Sequence, residues 1–301
     1  MRVGLTILTD LPWREARPRW RAAEEMGFDH AWTYDHLVWG GLPEAPWTTP
    51  TPVLGAVADL TERIGLGLMV ATPNFRHPYQ LHRDAQALED LADGRFLLGV
   101  GAGGSRDATI LGAPALPPRE HAERFFEFAE ALVRFREEDH VTLSGRWFRT
   151  DDARTLPPLR RTPLILAANG PRSIRFAVAT GDAWVTTGPW GTDTDTWWGA
   201  LTESAALVDG LLRERAAAGP AGADFRRYLL LDTAPGPDSP GRTALASVET
   251  AEEMIARAEA LGFTDVVLHW PRPTEPYRAS EQVLERFAAE VLPRLQDPVQ
   301  G

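Results

Sequence analysis

The apolar run Phe96-Leu97-Leu98-Gly99-Val100 ends in Gly101-Ala102-Gly103-Gly104, and two folds compete for it. A glycine-rich turn after a strand suits the dinucleotide-binding motif that opens a doubly wound sheet. Counting outward argues against that. Three strand-like runs precede this one, and no acidic residue ends a following strand at the required spacing. Close approach of bare backbone to a ligand explains the glycines better.

Upstream, Val3–Leu8 is apolar and bounded by Asp10 and Pro12, as a buried strand is. Trp20, Ala23 and Met26 then share a helical face that Gly27 terminates. Ala31-Trp32-Thr33, a helix over about Pro52–Thr61, a strand at Leu66–Ala71 and a helix over Pro78–Ala92 follow. Downstream, the spacing of Phe125, Phe128, Ala129 and Leu132 predicts a helix over Arg119–Phe135. A short hairpin around Val141–Phe148 and a strand at Leu164–Ala168 come next, then Ser173–Ala179 and Ala183–Thr186. A long helix in Thr196–Ala217 precedes Tyr228–Leu231, a helix opened by the capping box Thr250-Ala251-Glu252-Glu253, Val266–His269, and a last helix, Glu281–Arg294.

That makes roughly eight strand–helix units in 301 residues, the number a (βα)8 TIM barrel requires. A doubly wound sheet would use about six. Residues 1–301 are therefore expected to form a single barrel domain. Extended βα loops, Gly188–Thr194 and Ala234–Gly241 among them, would border its C-terminal rim.

Composition narrows the chemistry. The net charge of −11 disfavours a nucleic-acid partner, whose phosphates need a basic face. No cysteine is present, which removes disulfides, thiolate nucleophiles and cysteine-ligated zinc. Every basic residue is arginine, so lysine Schiff-base chemistry is removed too, while local arginines could still hold an anion. The apolar start is too short for a signal peptide or span, and no later segment approaches eighteen apolar residues. A cytoplasmic protein with no membrane partner is expected.

In a barrel, chemistry collects just past the C-terminal strand ends. Those positions read Asp10, Asp35-His36, Thr72-Pro73-Asn74, Gly101-Ala102-Gly103, Asn169-Gly170, Thr186-Thr187-Gly188, Asp232 and His269-Trp270. A metallohydrolase would converge several histidines and aspartates there, and no metal site is expected. A glycosidase would need two flanking carboxylates, for which only Asp10, Asp35 and Asp232 could serve. Small residues and bare backbone suggest a flat ring that brings its own chemistry.

Five segments in order carry a family resemblance across nearly the whole chain. They are Gly27-Phe28-Asp29-His30-Ala31-Trp32 leading to Asp35-His36-Leu37; Ala71-Thr72-Pro73-Asn74-Phe75-Arg76-His77-Pro78; the Gly94–Gly103 stretch; Ala167-Ala168-Asn169-Gly170-Pro171; and Val291-Leu292-Pro293-Arg294-Leu295. Together they resemble luciferase-like monooxygenases and F420-dependent oxidoreductases. The resemblance implies coenzyme F420 as cofactor, with FMN and a monooxygenase activity as the alternative, a small-molecule substrate and a homodimer. An eroded, non-catalytic cofactor-binding protein is a further alternative.

By position, His36 matches the histidine that faces the ring and donates or relays a proton. Asp35 matches an acid that binds the deazaflavin. Met69-Val70-Ala71-Thr72 matches a bulge, often with a non-proline cis peptide, behind the ring, and Ala102-Gly103 the glycine turn against it. Asn169-Gly170 and Arg172-Ser173 match the turn that receives the cofactor's side chain and phosphate. Arg172, Arg76 and Arg106 are expected to hold its phosphate and acidic tail. Two departures stand out: a glutamate of the sugar-phosphate dehydrogenases is Gly104 here, and a tryptophan is Gly40, beside Trp39. The phosphate-binding lysines of that subgroup are absent, so glucose 6-phosphate is not expected as substrate.

Other features admit two readings. His269 could touch substrate or pack against Trp270. Arg172 could complete an anion site at a helix N-terminus or be a solvated arginine behind the Pro171 that opens the helix. Trp184, Trp190, Trp197 and Trp198 could line an aromatic cavity or be packed in the core. His30, His77, His82, His121 and His140 are given no function.

Overall fold

The structure, a computed structural model, describes residues 1–155, 161–218, 224–234 and 241–296. Its first half alternates β1 (Arg2–Thr6), α1 (Trp13–Glu25), β2 (His30–Thr33), α2 (Pro50–Leu60), β3 (Gly65–Ala71), α3 (Pro78–Leu91) and β4 (Phe96–Val100). Then come α4 (Arg106–Ile110), α5 (Pro118–Glu137), β5 (Val141–Ser144), β6 (Arg149–Ala153), β7 (Leu164–Ala167), α6 (Pro171–Thr180), β8 (Ala183–Thr186) and α7 (Thr194–Ala218). The chain continues through β9 (Arg226–Leu230), α8 (Val248–Ala260), β10 (Asp265–His269), α9 (Glu281–Glu290) and α10 (Leu292–Gln296).

Eight strands close in the order β1-β10-β9-β8-β7-β4-β3-β2, each pair parallel. This is the expected TIM barrel. Strand residues alternate between two burial environments, as the two-residue period requires. Ala31, Leu66 and Leu98 join the large cluster with the inner faces of the helices. Trp32, Met69, Ile165, Val185, Tyr228 and Val267 form a second cluster, the barrel interior. Gly67 makes room for it, since a Cβ there would lie 2.3 Å from the Trp32 ring.

At the N-terminal end of the barrel, Trp32 Nε1 donates to His30 Nδ1 at 2.6 Å, and His30 Nε2 meets Asp265 Oδ1 at 3.0 Å. Arg226 Nε donates to Asp265 Oδ2 at 3.0 Å. His30 and Asp265 are fully buried, so this paired chain is a polar plug away from the open rim.

Several boundaries differ from the sequence reading for physical reasons. The hairpin's second strand runs on to Ala153. Helix α8 starts at Val248, because Ser247 rather than Thr250 is the cap and its hydroxyl accepts from Thr250 N at 3.1 Å. The last helix breaks at Val291, where Pro293 has no N–H to continue the ladder. Helix α4 was not expected at all. Most of the loop read at Ala234–Gly241 lies outside the described residues, but its flanks are tied: Thr233 and Arg242 exchange two backbone hydrogen bonds of 2.9 Å.

Candidate active site

A cavity of about 790 Å³ opens at the C-terminal rim, and side chains or backbone from 36, 72, 101–104, 169, 170 and 173 meet in it. Its volume is in the range that takes a cofactor ring together with a small substrate. Met69, Val70, Ala167, Val185 and Leu230 rise from the interior cluster to line it. The Met69–Val70 peptide is cis and β3 shifts register there, as the resemblance implied.

Bare backbone of Gly101–Gly104 forms one wall. Gly103 adopts φ +67°, and a Cβ there would lie 2.5 Å from Thr72 Cγ2 and 2.7 Å from Asn74 Nδ2. The Asn74 amide clamps this turn by donating to Ala102 O at 3.0 Å and Gly104 O at 2.7 Å. Arg124 in turn donates to Asn74 Oδ1.

Past β2 the alternation continues. Trp32 and Tyr34 pack in the interior cluster, and Tyr34 and His36 line the cavity. His36 Nδ1 lies 2.7 Å from Asp107 Oδ2, and Leu37 N donates to Asp107 Oδ1 at 2.8 Å. Asp107 comes from α4 and is buried, whereas the His36 side chain keeps 23 % exposure. Burial alone would push the Asp107 carboxyl up; the His36 contact and the amides of Leu37 and Val38 outweigh it and hold it below the usual carboxylate range.

Asp35, on the opposite parity, corrects the sequence reading. Its carboxylate is fully buried, lies off the cavity and is gripped by Arg76, Nε to Oδ2 at 2.9 Å and Nη2 to Oδ1 at 2.7 Å. Arg76 also reaches Asp84 at 3.3 Å, so it is spent on ion pairs rather than on a cofactor tail. Burial pulls the Arg76 guanidinium down, but the bond to Asp35 outweighs this and raises it.

Among the other expected residues, Met69, Val70, Thr72, Ala102, Gly103, Asn169, Gly170, Ser173 and Arg106 line the cavity. Ala71 is buried away from it. Arg172 is exposed, stacks over the Phe126 ring at 5.1 Å and does not line the cavity. Asn169 is oriented by β8: its Oδ1 accepts from Thr186 Oγ1 at 2.7 Å and its Nδ2 donates to Thr187 Oγ1 at 2.9 Å. Ser173 Oγ donates to Gly170 O at 2.9 Å, closing the first turn of α6.

The far side is aromatic. Trp39 stacks on Tyr277 at 5.7 Å, and Tyr277 stacks on His269 at 3.5 Å. His269 is buried, packs on Tyr277 rather than Trp270, and its Nε2 is hydrogen-bonded to Tyr34 Oη at 2.6 Å. Burial holds the His269 imidazole well below its ordinary range, so it is neutral. Asp232 lines the cavity and accepts from Ala244 N at 2.5 Å and His269 N at 2.6 Å; burial pushes its carboxyl up to about 7. Of the four tryptophans weighed above, only Trp190 lines the cavity; Trp184, Trp197 and Trp198 are core.

Residues 1–240 match the family described as luciferase-like monooxygenase. The chain belongs to the luciferase-like monooxygenase family. A protein of Beutenbergia cavernae named F420-dependent glucose-6-phosphate dehydrogenase is 32 % identical, covering 91 % of this chain and 90 % of its own. An F420-dependent secondary alcohol dehydrogenase solved with an F420-acetone adduct superposes with a TM-score of 0.81 at 16 % identity, over 98 % of this luciferase-like chain and 99 % of that one. A monooxygenase from Streptomyces bottropensis gives 0.72 at 19 % identity, over 98 % and 100 %. At such identities the two solved structures show a shared fold alone.

The sequence reading missed Asp107, Tyr34 and Tyr277. Tyr34 carried a usable signal, because it shares parity with Trp32 and His36. Asp107 carried none, since a helix of 5 residues shows no periodicity.

Proposed function

We propose that the chain is an F420-dependent oxidoreductase that moves a hydride between the deazaflavin and a small organic substrate, with His36 handling the proton. The observation that carries this reading is a half-buried histidine, backed by a carboxylate, facing a cavity walled by bare glycine backbone. The F420 dependence in the name of a relative 32 % identical over 91 % of the chain supports the choice of cofactor.

The cavity fits a flat ring. Its glycine wall would collide with Thr72 and Asn74 if Gly103 gained a Cβ, and Met69 and Val70 lie among its lining. We assign the ring to Met69, Val70, Thr72, Ala102 and Gly103, and the side chain to Asn169, Gly170 and Ser173. When bound, the deazaflavin supplies hydride acceptance or donation. His36 holds or passes the accompanying proton at the cavity side of its imidazole, a role for which general acid–base catalysis provides roughly 10²–10⁴-fold. Trp39, Tyr277, Phe125 and Phe126 give the same cavity an aromatic lining.

The substrate is proposed to be small and uncharged. Among the described residues, Arg106 is the one arginine lining the cavity, and it shares that space with Asp107 and Asp232. A phosphate dianion calls for a cluster of positive donors. A cytoplasmic location and a homodimer belong to the same reading.

Turnover is followed by the violet-edge absorbance of F420 mixed with neutral alcohols, their ketones and glucose 6-phosphate. Neutral alcohols or ketones are expected to react and the sugar phosphate to lag. Oxygen consumption with reduced FMN, without any F420 turnover, would overturn the proposal in favour of a monooxygenase.

A further inference from the structure

The Asp107 carboxylate is almost fully buried, and both oxygens are engaged: Oδ1 accepts from Leu37 N at 2.8 Å, and Oδ2 lies 2.7 Å from His36 Nδ1. Held below the usual carboxylate range, it is ionised at neutral pH and has no proton to offer. A 2.7 Å contact to an ionised carboxylate requires a hydrogen on the nitrogen, so Nδ1 must be the protonated ring nitrogen. Nε2 makes no hydrogen bond to any described residue.

We propose that Asp107 is a positioning residue that locks neutral His36 in the Nδ1–H tautomer and leaves the Nε2 lone pair open to the cavity. The inference rests on the reading of His36 as the proton-handling residue. Its consequence is directional. Neutral His36 can take a proton at Nε2 from a substrate hydroxyl, and can give one only after it has been charged.

Geometry supports a built device rather than an incidental contact. Helix α4 places Asp107 across from the strand end, and the Leu37 amide fixes the carboxylate's second oxygen, so the carboxylate cannot turn away from the ring. Other groups around the imidazole do not compete for Nδ1. Tyr34 meets it edge-on, with ring centroids 6.3 Å apart, and spends its hydroxyl on His269. Asp35 is taken by Arg76. Carboxylates behind a functional histidine fix its tautomer and orientation in just this way.

The test needs neither cofactor nor substrate. Long-range ¹⁵N–¹H correlation spectra of the free protein, with His36 identified by its absence in His36→Gln, report which ring nitrogen carries the hydrogen above the imidazole's titration. The expected result is Nδ1–H in the wild type and a shift towards Nε2–H in Asp107→Ala. If that variant does not fold, Asp107→Asn serves, because the two contacts fall on different carboxylate oxygens and the amide turns one of those positions into a donor, which cannot accept from Leu37 N or from His36 Nδ1–H. In the F420 assay both variants should lose roughly 10–100-fold in kcat, the usual scale for a supporting partner, with KM and F420 affinity within about threefold. An Nε2–H signature in the wild type, or an unchanged tautomer in the Asp107 variants, would overturn the proposal. An Nδ1–H wild type without F420 turnover would instead count against the cofactor reading and leave the lock intact.

Discussion

Replacing Arg76 by methionine removes the guanidinium from a carboxylate that is 0 % exposed. Asp35 would then sit off the cavity with neither water nor a cation to compensate its charge. Removing one partner of a buried pair costs about 3–5 kcal/mol, because the other charge is left uncompensated. For a chain of 301 residues the entropy of unfolding is about 0.6 kcal/mol/K, so the melting temperature should fall by about 5–8 °C. The deficit should depend on pH. Burial drives the unpaired Asp35 carboxyl upward, so the folded variant holds its proton more tightly than the unfolded chain. Its stability relative to wild type is therefore least impaired below about pH 3, under the unfolded carboxyl's ordinary range, where both states are protonated, and falls as pH rises. Scanning calorimetry at pH 5 and pH 8 reads both effects, and Asp35→Asn combined with Arg76→Met should recover a large part of the loss. A melting temperature within a degree of wild type, or lost F420 binding with intact stability, would refute the reasoning and return Asp35 to the cofactor.

Other substitutions separate the roles further. His36→Ala should lower turnover roughly 10²–10⁴-fold while F420 affinity, read by fluorescence titration, changes little; unaltered turnover on a true substrate would remove His36 from the reaction. Gly103→Ala must hold φ +67° against Thr72 and Asn74, costing about 1–2 kcal/mol for the left-handed conformation plus the collision, and a denaturant midpoint equal to wild type would contradict this. A Cβ at Gly104 meets nothing within 4 Å, so the stability of Gly104→Ala should stay within about 0.5 kcal/mol of wild type; a drop of several degrees in melting temperature would show that the wall is less open than described. Because the Asp107 carboxyl is held low, its contribution to stability is present above the unfolded carboxyl's range and is lost as pH falls through the folded value; Asp107→Asn should flatten that part of an acid titration followed by circular dichroism.

The barrel was legible because parallel strands buried on both faces read as short apolar runs, and β4 and β8 were bounded to the residue. The rim was legible too, since strand ends announce themselves by glycine, asparagine and histidine. Side-chain direction was harder. Asp35 follows Tyr34 and precedes His36, and only the two-residue period, continued beyond Thr33, shows that it points away from the cavity. Arg76 reaches Asp35 across 41 positions, and no local pattern encodes that pairing. The same holds for Tyr34 with His269, separated by 235 positions. Trp184 and Trp197 are buried in the core, where their indole N–H groups donate to the carbonyls of Ala168 and Thr187 on neighbouring elements of the barrel.

The central claim is that this rim holds a deazaflavin. Parallel titrations of F420 and FMN into the purified protein, at low and at high salt, test it most directly. F420 should bind the more tightly, and its affinity should weaken with salt, because Arg106, the one arginine among the described residues that lines the cavity, is exposed and its charge is screened over about 10 Å at 0.1 M. Tight, salt-insensitive binding of FMN with no measurable affinity for F420 would contradict the account.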